Sequence, residues 1–153
     1  MAAGDITLFA QFKLDVGNKV HSLNAADTIK LGIITSAVTP TATTADPRWG
    51  AGGTTNFATN QVTPATSYVD GGPTVATTWT LVSNVPTLRA SGGTLTIAQD
   101  AGGFTNGRWG ILYNDTAAGN QCIGFVDFGG DKTIVSGPLE INWNGATDDI
   151  ATL

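Results

Sequence analysis

The residues able to do chemistry are few and scattered. His21 and Cys122 are the only histidine and cysteine, set among seven Lys or Arg and twelve Asp or Glu in 153 residues. A catalytic base or a zinc ligand needs partners, and His21 has neither a second histidine nor a cysteine pair, only Asp15 and Asp27 nearby in sequence. Serine hydrolysis needs a nucleophile and an orienting acid around such a histidine, and the chain has no G-x-S-x-G elbow. His21 therefore reads as a local surface or capping residue. Cys122 sits in the apolar run Cys122-Ile123-Gly124-Phe125-Val126 with no intrachain disulfide partner. The fold is then unstapled and compatible with maturation in a cytosol.

Other candidate sites offer equally little. Gly102-Gly103-Phe104-Thr105-Asn106-Gly107 is glycine-rich but lacks the lysine of a phosphate-binding loop, and reads as turn backbone. Asp127, Asp131, Glu140, Asp148 and Asp149 match no calcium-loop spacing and read as a solvated acidic face. Paired carboxylates for glycoside hydrolysis are defined by separation in space, which spacing in sequence does not give. The inventory points to a chain that is not an enzyme, with no catalytic residue, cofactor or metal expected.

One tripeptide occurs twice, as Arg48-Trp49-Gly50 and Arg108-Trp109-Gly110. Arginine stacks on tryptophan, and both types are enriched at interface hot spots. In the second copy Trp109 reads as a core strand residue with Arg108 on the other face, because strand neighbours point opposite ways. Trp49 falls in an irregular stretch between Pro47 and Gly50 and is the better interface candidate.

Around these residues the chain is built of small types, 20 Gly, 24 Thr and 19 Ala. A hydrophobic content of 41% is ample for a core, so a single domain over 1–153 is expected. Net charge is −5, and the acidic excess grows from Asp100 onward. No basic stripe is present, which argues against direct nucleic-acid contact. Met1–Asp5 shows no basic region leading into an apolar stretch, so no signal peptide is expected. No window approaches eighteen apolar residues, so neither a transmembrane helix nor a membrane partner is expected.

The elements that would position all this are short. Ile6 to Val20 fits a helical face through Leu8, Phe9, Phe12 and Val16, and a strand through Phe12, Leu14 and Val16; a short amphipathic helix or arm, then a turn, is the reading adopted. Thr28 to Thr35 is a strand. Val38 to Pro73 is a long irregular excursion with four prolines and regularly spaced aromatics; Thr54 to Asn60 has room for one or two helical turns. Such a segment is either packed back on its own domain or extended as an arm onto a neighbouring subunit. Strands follow at Val75–Val82, Thr87–Ala90, Thr94–Ile97, Arg108–Tyr113, Gln121–Phe128, Lys132–Val135 and Pro138–Trp143, separated by turns that include Gly129-Gly130-Asp131. This pattern predicts an all-β, jelly-roll-like antiparallel β-sandwich. Its expected core is Ile29, Leu31, Ile33, Trp79, Leu81, Leu95, Ile97, Trp109, Ile111, Tyr113, Ile123, Phe125, Ile141 and Trp143.

Three sets of residues carry a resemblance: Ala26 to Ala37, Gly107 to Thr116, and Ile123 to Gly129 with Leu139 to Asn144. Together they resemble a family of small virion structural proteins of tailed bacteriophages, over nearly the whole chain. The resemblance implies a particle component, a decoration or cement protein on the capsid exterior, made in the host cytoplasm and partnered by the major capsid protein. A tail-tube or other tail-associated subunit and a receptor- or carbohydrate-binding virion module are the alternatives. Attachment is then expected through residues the sandwich core does not need: Phe9, Phe12, Arg48, Trp49, Phe57 and Tyr68. With 38–73 as an arm, self-association as a dimer or trimer is expected.

Overall fold

The computed structural model describes residues 6–24, 26–143 and 147–153. The opening Met1–Asp5, and Asn144 at the end of the last resembling block, lie outside them. The β-branched run after Thr28 forms β2 (Ile29–Ile34), next to the edge strand of a five-stranded antiparallel sheet. The strand order is β1 (Thr7–Leu8), β10 (Cys122–Lys132), β9 (Gly107–Asn114), β2, β5 (Thr74–Val75). Register sets Leu31 opposite Leu112 and Ile33 opposite Gly110, so Ile29, Leu31 and Ile33 share one face. Gly32 and Ile34 align with Ile111 and Trp109 on the other face. Leu31, Ile33 and Ile34 are all fully buried, so the sheet is covered on both sides.

Three smaller sheets complete the all-β architecture. A hairpin of β6 (Thr77–Val82) and β7 (Val85–Ala90) is extended by β12 (Asp149–Thr152); β8 (Leu95–Ile97) pairs with β11 (Leu139–Ile141); β3 (Pro47–Arg48) and β4 (Thr55–Asn56) form a short parallel pair. Leu88, Ile97, Leu139 and Ile141 from the smaller sheets, with Trp143 just after β11, join the same apolar core as the large one. The Ile6–Val20 run is helical at α1 (Ala10–Gly17), which buries Phe12 and leaves Leu14 exposed. Among the described residues no helix is long and apolar enough to cross a membrane.

Several local expectations are corrected. Gly129-Gly130-Asp131 is not an inter-strand turn but a bulge inside β10: between Asp127↔Trp109 and Lys132↔Gly107, five steps of β10 oppose two of β9. No separate strand forms at Lys132–Val135, and the Val75–Val82 run breaks at Ala76. β12 is unforeseen because Asp149-Ile150-Ala151-Thr152 is too short and polar to read as a strand until β7 lies beside it. Leu81, expected in the core, is 65 % exposed, because β6 is an edge strand that overhangs the core. Trp79, Leu95 and Trp109 are only partly buried.

The excursion from 38 to 73 stays on its own domain. Asn56 caps a 3₁₀ turn over Phe57–Asn60 by accepting from the Ala58 N–H. β5 pairs only with Ile29 and Lys30, so β2 would otherwise end in an unpaired edge. The excursion supplies the missing partners. Leu31 N donates to the Pro73 carbonyl (3.0 Å), Val62 N to the Ile33 carbonyl (3.0 Å) and Thr35 N to the Asn60 carbonyl (3.0 Å). Ile33 N donates to the Tyr68 hydroxyl at 2.7 Å. The approach is so close that a Cβ at Gly72, whose φ is +82°, would collide with the Leu31 carbonyl oxygen.

Candidate functional site

Five of the six candidate interface residues lie in the interior, and the sixth, Arg48, is half-buried. Phe9, Phe12, Trp49, Phe57 and Tyr68 are none of them more than 6 % exposed. Phe9 stacks on Phe57 (5.8 Å between centroids) and meets Phe125 at 5.3 Å. Trp49 lies flat on Tyr113 (5.0 Å, 9°) and against Gly32, where any Cβ would collide with its ring. The expectation that these rings form an attachment surface on the folded chain is therefore corrected. They belong to the apolar core around the large sheet, and the evenly spaced aromatics of the excursion were the sign of a segment with its own share of that core.

Arg48 is also engaged within the chain. Its guanidinium makes two hydrogen bonds to Asp46 (3.0 and 3.3 Å). Trp49 N donates to the Asn120 carbonyl and Asn120 Nδ2 to the Trp49 carbonyl, at 2.9 and 3.0 Å. The first Arg-Trp pair thus clamps the excursion to the turn after β9. In the second pair Arg108 and Trp109 do not point apart. The guanidinium lies over the indole, 4.3 Å from its centroid, while bridging to Asp127 across the β9–β10 ladder. That ion pair holds the Asp127 carboxyl below its ordinary value, with the Gly129 N–H adding to the effect.

Beside the clamp lies a polar pocket of about 370 Å³ lined by Lys30, Trp49, Ala58, Gln61, Asp70, Gly71, Tyr113, Asp115 and Asn120. Lys30 Nζ pairs with Asp115 at 2.8 Å, and the Tyr113 hydroxyl donates to the Gly71 carbonyl at 2.9 Å. The pocket offers charges and amides, but its two rings are sealed, with Trp49 6 % and Tyr113 1 % exposed. Burial also raises the Tyr68 and Tyr113 hydroxyl pKa values far above the ordinary range, so neither phenol is a base at neutral pH.

His21 does meet both of its sequence neighbours. Asp15 and Asp27 act on it electrostatically, yet burial outweighs them and lowers its pKa below the ordinary value. Its ring packs on Phe12 at 5.1 Å, and Nδ1 lies 3.1 Å from Asn114 Nδ2. Asn114, fully buried and not anticipated from sequence, also donates to Asp27 and accepts from the Thr116 and Ala117 N–H groups. No hydroxyl or thiol is hydrogen-bonded to His21 among the described residues. The cluster ties the 15–27 segment to the end of β9.

The remaining groups are likewise structural. Cys122 is buried, and desolvation pushes its thiol well above the ordinary value. Asp149 pairs with Arg89 at 2.7 Å, while Asp131 and Glu140 line an open groove with Lys132. Among the described residues no group of three or more His, Cys, Asp or Glu side chains converges. Asp100 gives the glycine-rich loop its role. Its two carboxylate oxygens accept from Ser67 N and Gly102 N, each at 2.9 Å, which latches the excursion to the 100–107 loop.

Comparison with protein-family models, with curated proteins and with solved structures finds no match to this chain.

Proposed function

We propose that this chain is a structural component of a tailed-phage virion, a decoration protein that sits on the capsid exterior and bridges capsomers. One observation carries the reading. The rings singled out as interface candidates, with His21, Cys122 and Asp100, are engaged in packing or in fastening loops to the sheet, with Trp49 and Tyr68 at 6 % and 0 % exposure. What faces outward is a threonine-rich surface of low charge, suited to many modest repeated contacts rather than to one pocket. The resemblance of residues 26–37, 107–116, 123–129 and 139–144 to small virion proteins supports the same assignment. A glycan-binding module needs an open aromatic platform, and the rings beside the polar pocket are sealed.

Imaging of native particles tests the proposal. Density for this chain at local symmetry axes of the head, with recombinant protein rebinding to stripped heads and raising their resistance to heat, is the expected result. Closed rings stacked along a tail replace the head assignment with a tail-tube one. Absence of the chain from purified particles overturns both.

A further inference from the structure

The three-stranded sheet has two unlike edges. β12 is short, carries Asp149 and is broken by a register shift between Asp149 and Ala151. Natural sheets use such devices to discourage further pairing. β6, the opposite edge, has none of them. Its six residues, Thr77-Thr78-Trp79-Thr80-Leu81-Val82, hold no charge and no proline, and pair with β7 without a break from Thr77↔Ala90 to Val82↔Val85. A strand this regular and neutral is a template for another strand.

The hairpin fixes which backbone groups look outward. A two-residue turn at Ser83-Asn84, with φ of 50° and 67°, closes it. Ser91 N donates to the Ala76 carbonyl at 2.9 Å. Antiparallel hydrogen-bonded pairs recur at every second residue, so Thr78, Thr80 and Val82 direct their N–H and C=O at β7. Thr77, Trp79 and Leu81 direct theirs at the open side, where no partner meets them among the described residues. Leu81, 65 % exposed, and Val85, 40 % exposed, make the tip of the hairpin apolar.

We infer that β6 is a self-pairing edge, on which a second copy of this chain lays its own β6 antiparallel about a two-fold axis at Trp79. Parity selects the register: residues with outward groups must face one another, so Trp79 opposes its counterpart and Thr77 opposes Leu81. Each such pair exchanges both of its backbone bonds. The reversed strand is its own complement, setting ring against ring and leucine against a threonine methyl, both favourable cross-strand pairs. No like charges meet, and the contact covers Leu81 in both copies. The inference does not rest on the virion reading. A chain absent from particles still dimerises through β6, and a virion subunit that stays monomeric refutes the edge without touching its place in the particle.

Sedimentation of the full chain over about a hundredfold range of concentration is the first test. The expected result is a reversible dimer. Leu81→Lys weakens it by about tenfold or more with an unchanged β spectrum. Leu153→Lys places the same charge near the tip but off the edge, and leaves the dimer within about twofold. Cross-linking checks the register independently of affinity. Thr78 and Thr80 are exposed and face each other across the proposed axis, whereas Cys122 is buried and stays out of reach. Oxidising a mixture of the Thr78→Cys and Thr80→Cys variants gives a cross-linked dimer, and either variant alone gives far less. A chain that stays monomeric throughout overturns the inference. So does a dimer indifferent to Leu81→Lys, a strand-like peptide from another protein bound at β6 by a monomeric chain, or cross-linking of Thr80→Cys alone that matches the mixture.

Discussion

Two strand edges in this molecule meet the same problem in opposite ways. Beyond Lys30, β2 would expose unpaired backbone groups, and the 60–73 segment covers them with three backbone bonds and one tyrosine hydroxyl. Along β6, Thr77, Trp79 and Leu81 present the same kind of unpaired groups and nothing covers them among the described residues. The first edge runs through residues that are fully buried, Leu31, Ile33 and Ile34, where an unmet N–H costs its full desolvation. The second lies at the rim of a small sheet, where water or another chain can satisfy it. The difference shows why the long excursion exists. It is a substitute strand, and its aromatics are its anchorage.

The largest test of that contrast is to remove the cover. Deleting Ala42 to Tyr68 takes away Trp49, Phe57, Val62 and Tyr68, all buried. Truncating a single large core aromatic costs about 3–5 kcal/mol, so losing three of them together with Val62 is comparable to the whole stability of a typical domain, about 5–15 kcal/mol. The deleted chain is expected to show no cooperative unfolding transition by circular dichroism. A folded deletion product would restore the arm reading. The glycines at the two regions give a finer version. Gly72→Ala forces a left-handed backbone and a collision with Leu31, for about 2–5 kcal/mol. Gly93, at φ +68° in the turn after β7, has nothing within 4 Å of an added Cβ. Gly93→Ala should cost only the backbone term, about 1–2 kcal/mol. Urea midpoints of the two variants compare them directly.

Tyr68 separates packing from hydrogen bonding at the covered edge. Tyr68→Ala loses the ring and should cost about 3–5 kcal/mol. Tyr68→Phe keeps the ring beside Phe104, which it meets edge-on at 5.4 Å, and removes the hydroxyl that the Ile33 N–H and the Gln61 side chain meet. That loss should be about 1–3 kcal/mol. Equal stability of Tyr68→Phe and the natural chain would mean that water replaces the hydroxyl, and that the edge is less dry than its burial indicates.

How much of this was legible beforehand follows from where each signal resides. Period-two runs with β-branched residues, such as Ile29 to Ile34, carry their structure locally, and β2, β7, β8 and β9 appear where the pattern puts them. The helix at Ala10–Gly17 and the turn at Phe57–Asn60 were within reach for the same reason. Leu81 misled because alternation marks a face and not how far the core extends beneath it. Gly129-Gly130 misled because a bulge and a turn use the same residues. At the candidate site, Trp49 and Tyr68 were read as attachment residues, and both are buried within the chain. Their partners, Gly32 with Tyr113 and the Ile33 N–H, are remote in sequence, and no local rule distinguishes an aromatic that packs inward from one that packs on a neighbour. Asn114 and Asp100 act through backbone groups, which leave no pattern of their own.

The smallest effect falls on the latch that holds the cover in place. The Asp100 carboxylate accepts from the Ser67 and Gly102 N–H groups, and these bonds lower its pKa below the ordinary value. A carboxylate whose folded pKa is depressed contributes stability that is full above its unfolded pKa, about 3.9, and lost as pH falls through the lower native value. Acid should therefore loosen the excursion at Ser67 before it disturbs β6, which has no carboxylate. The expected observation is an amide chemical-shift titration of Ser67 and Gly102 with a shared midpoint below the ordinary aspartate value, absent in Asp100→Asn. The Thr78 and Thr80 amides should not follow it. If they move with the same midpoint, the two edges are coupled through the core, and the independence assumed in comparing them is wrong.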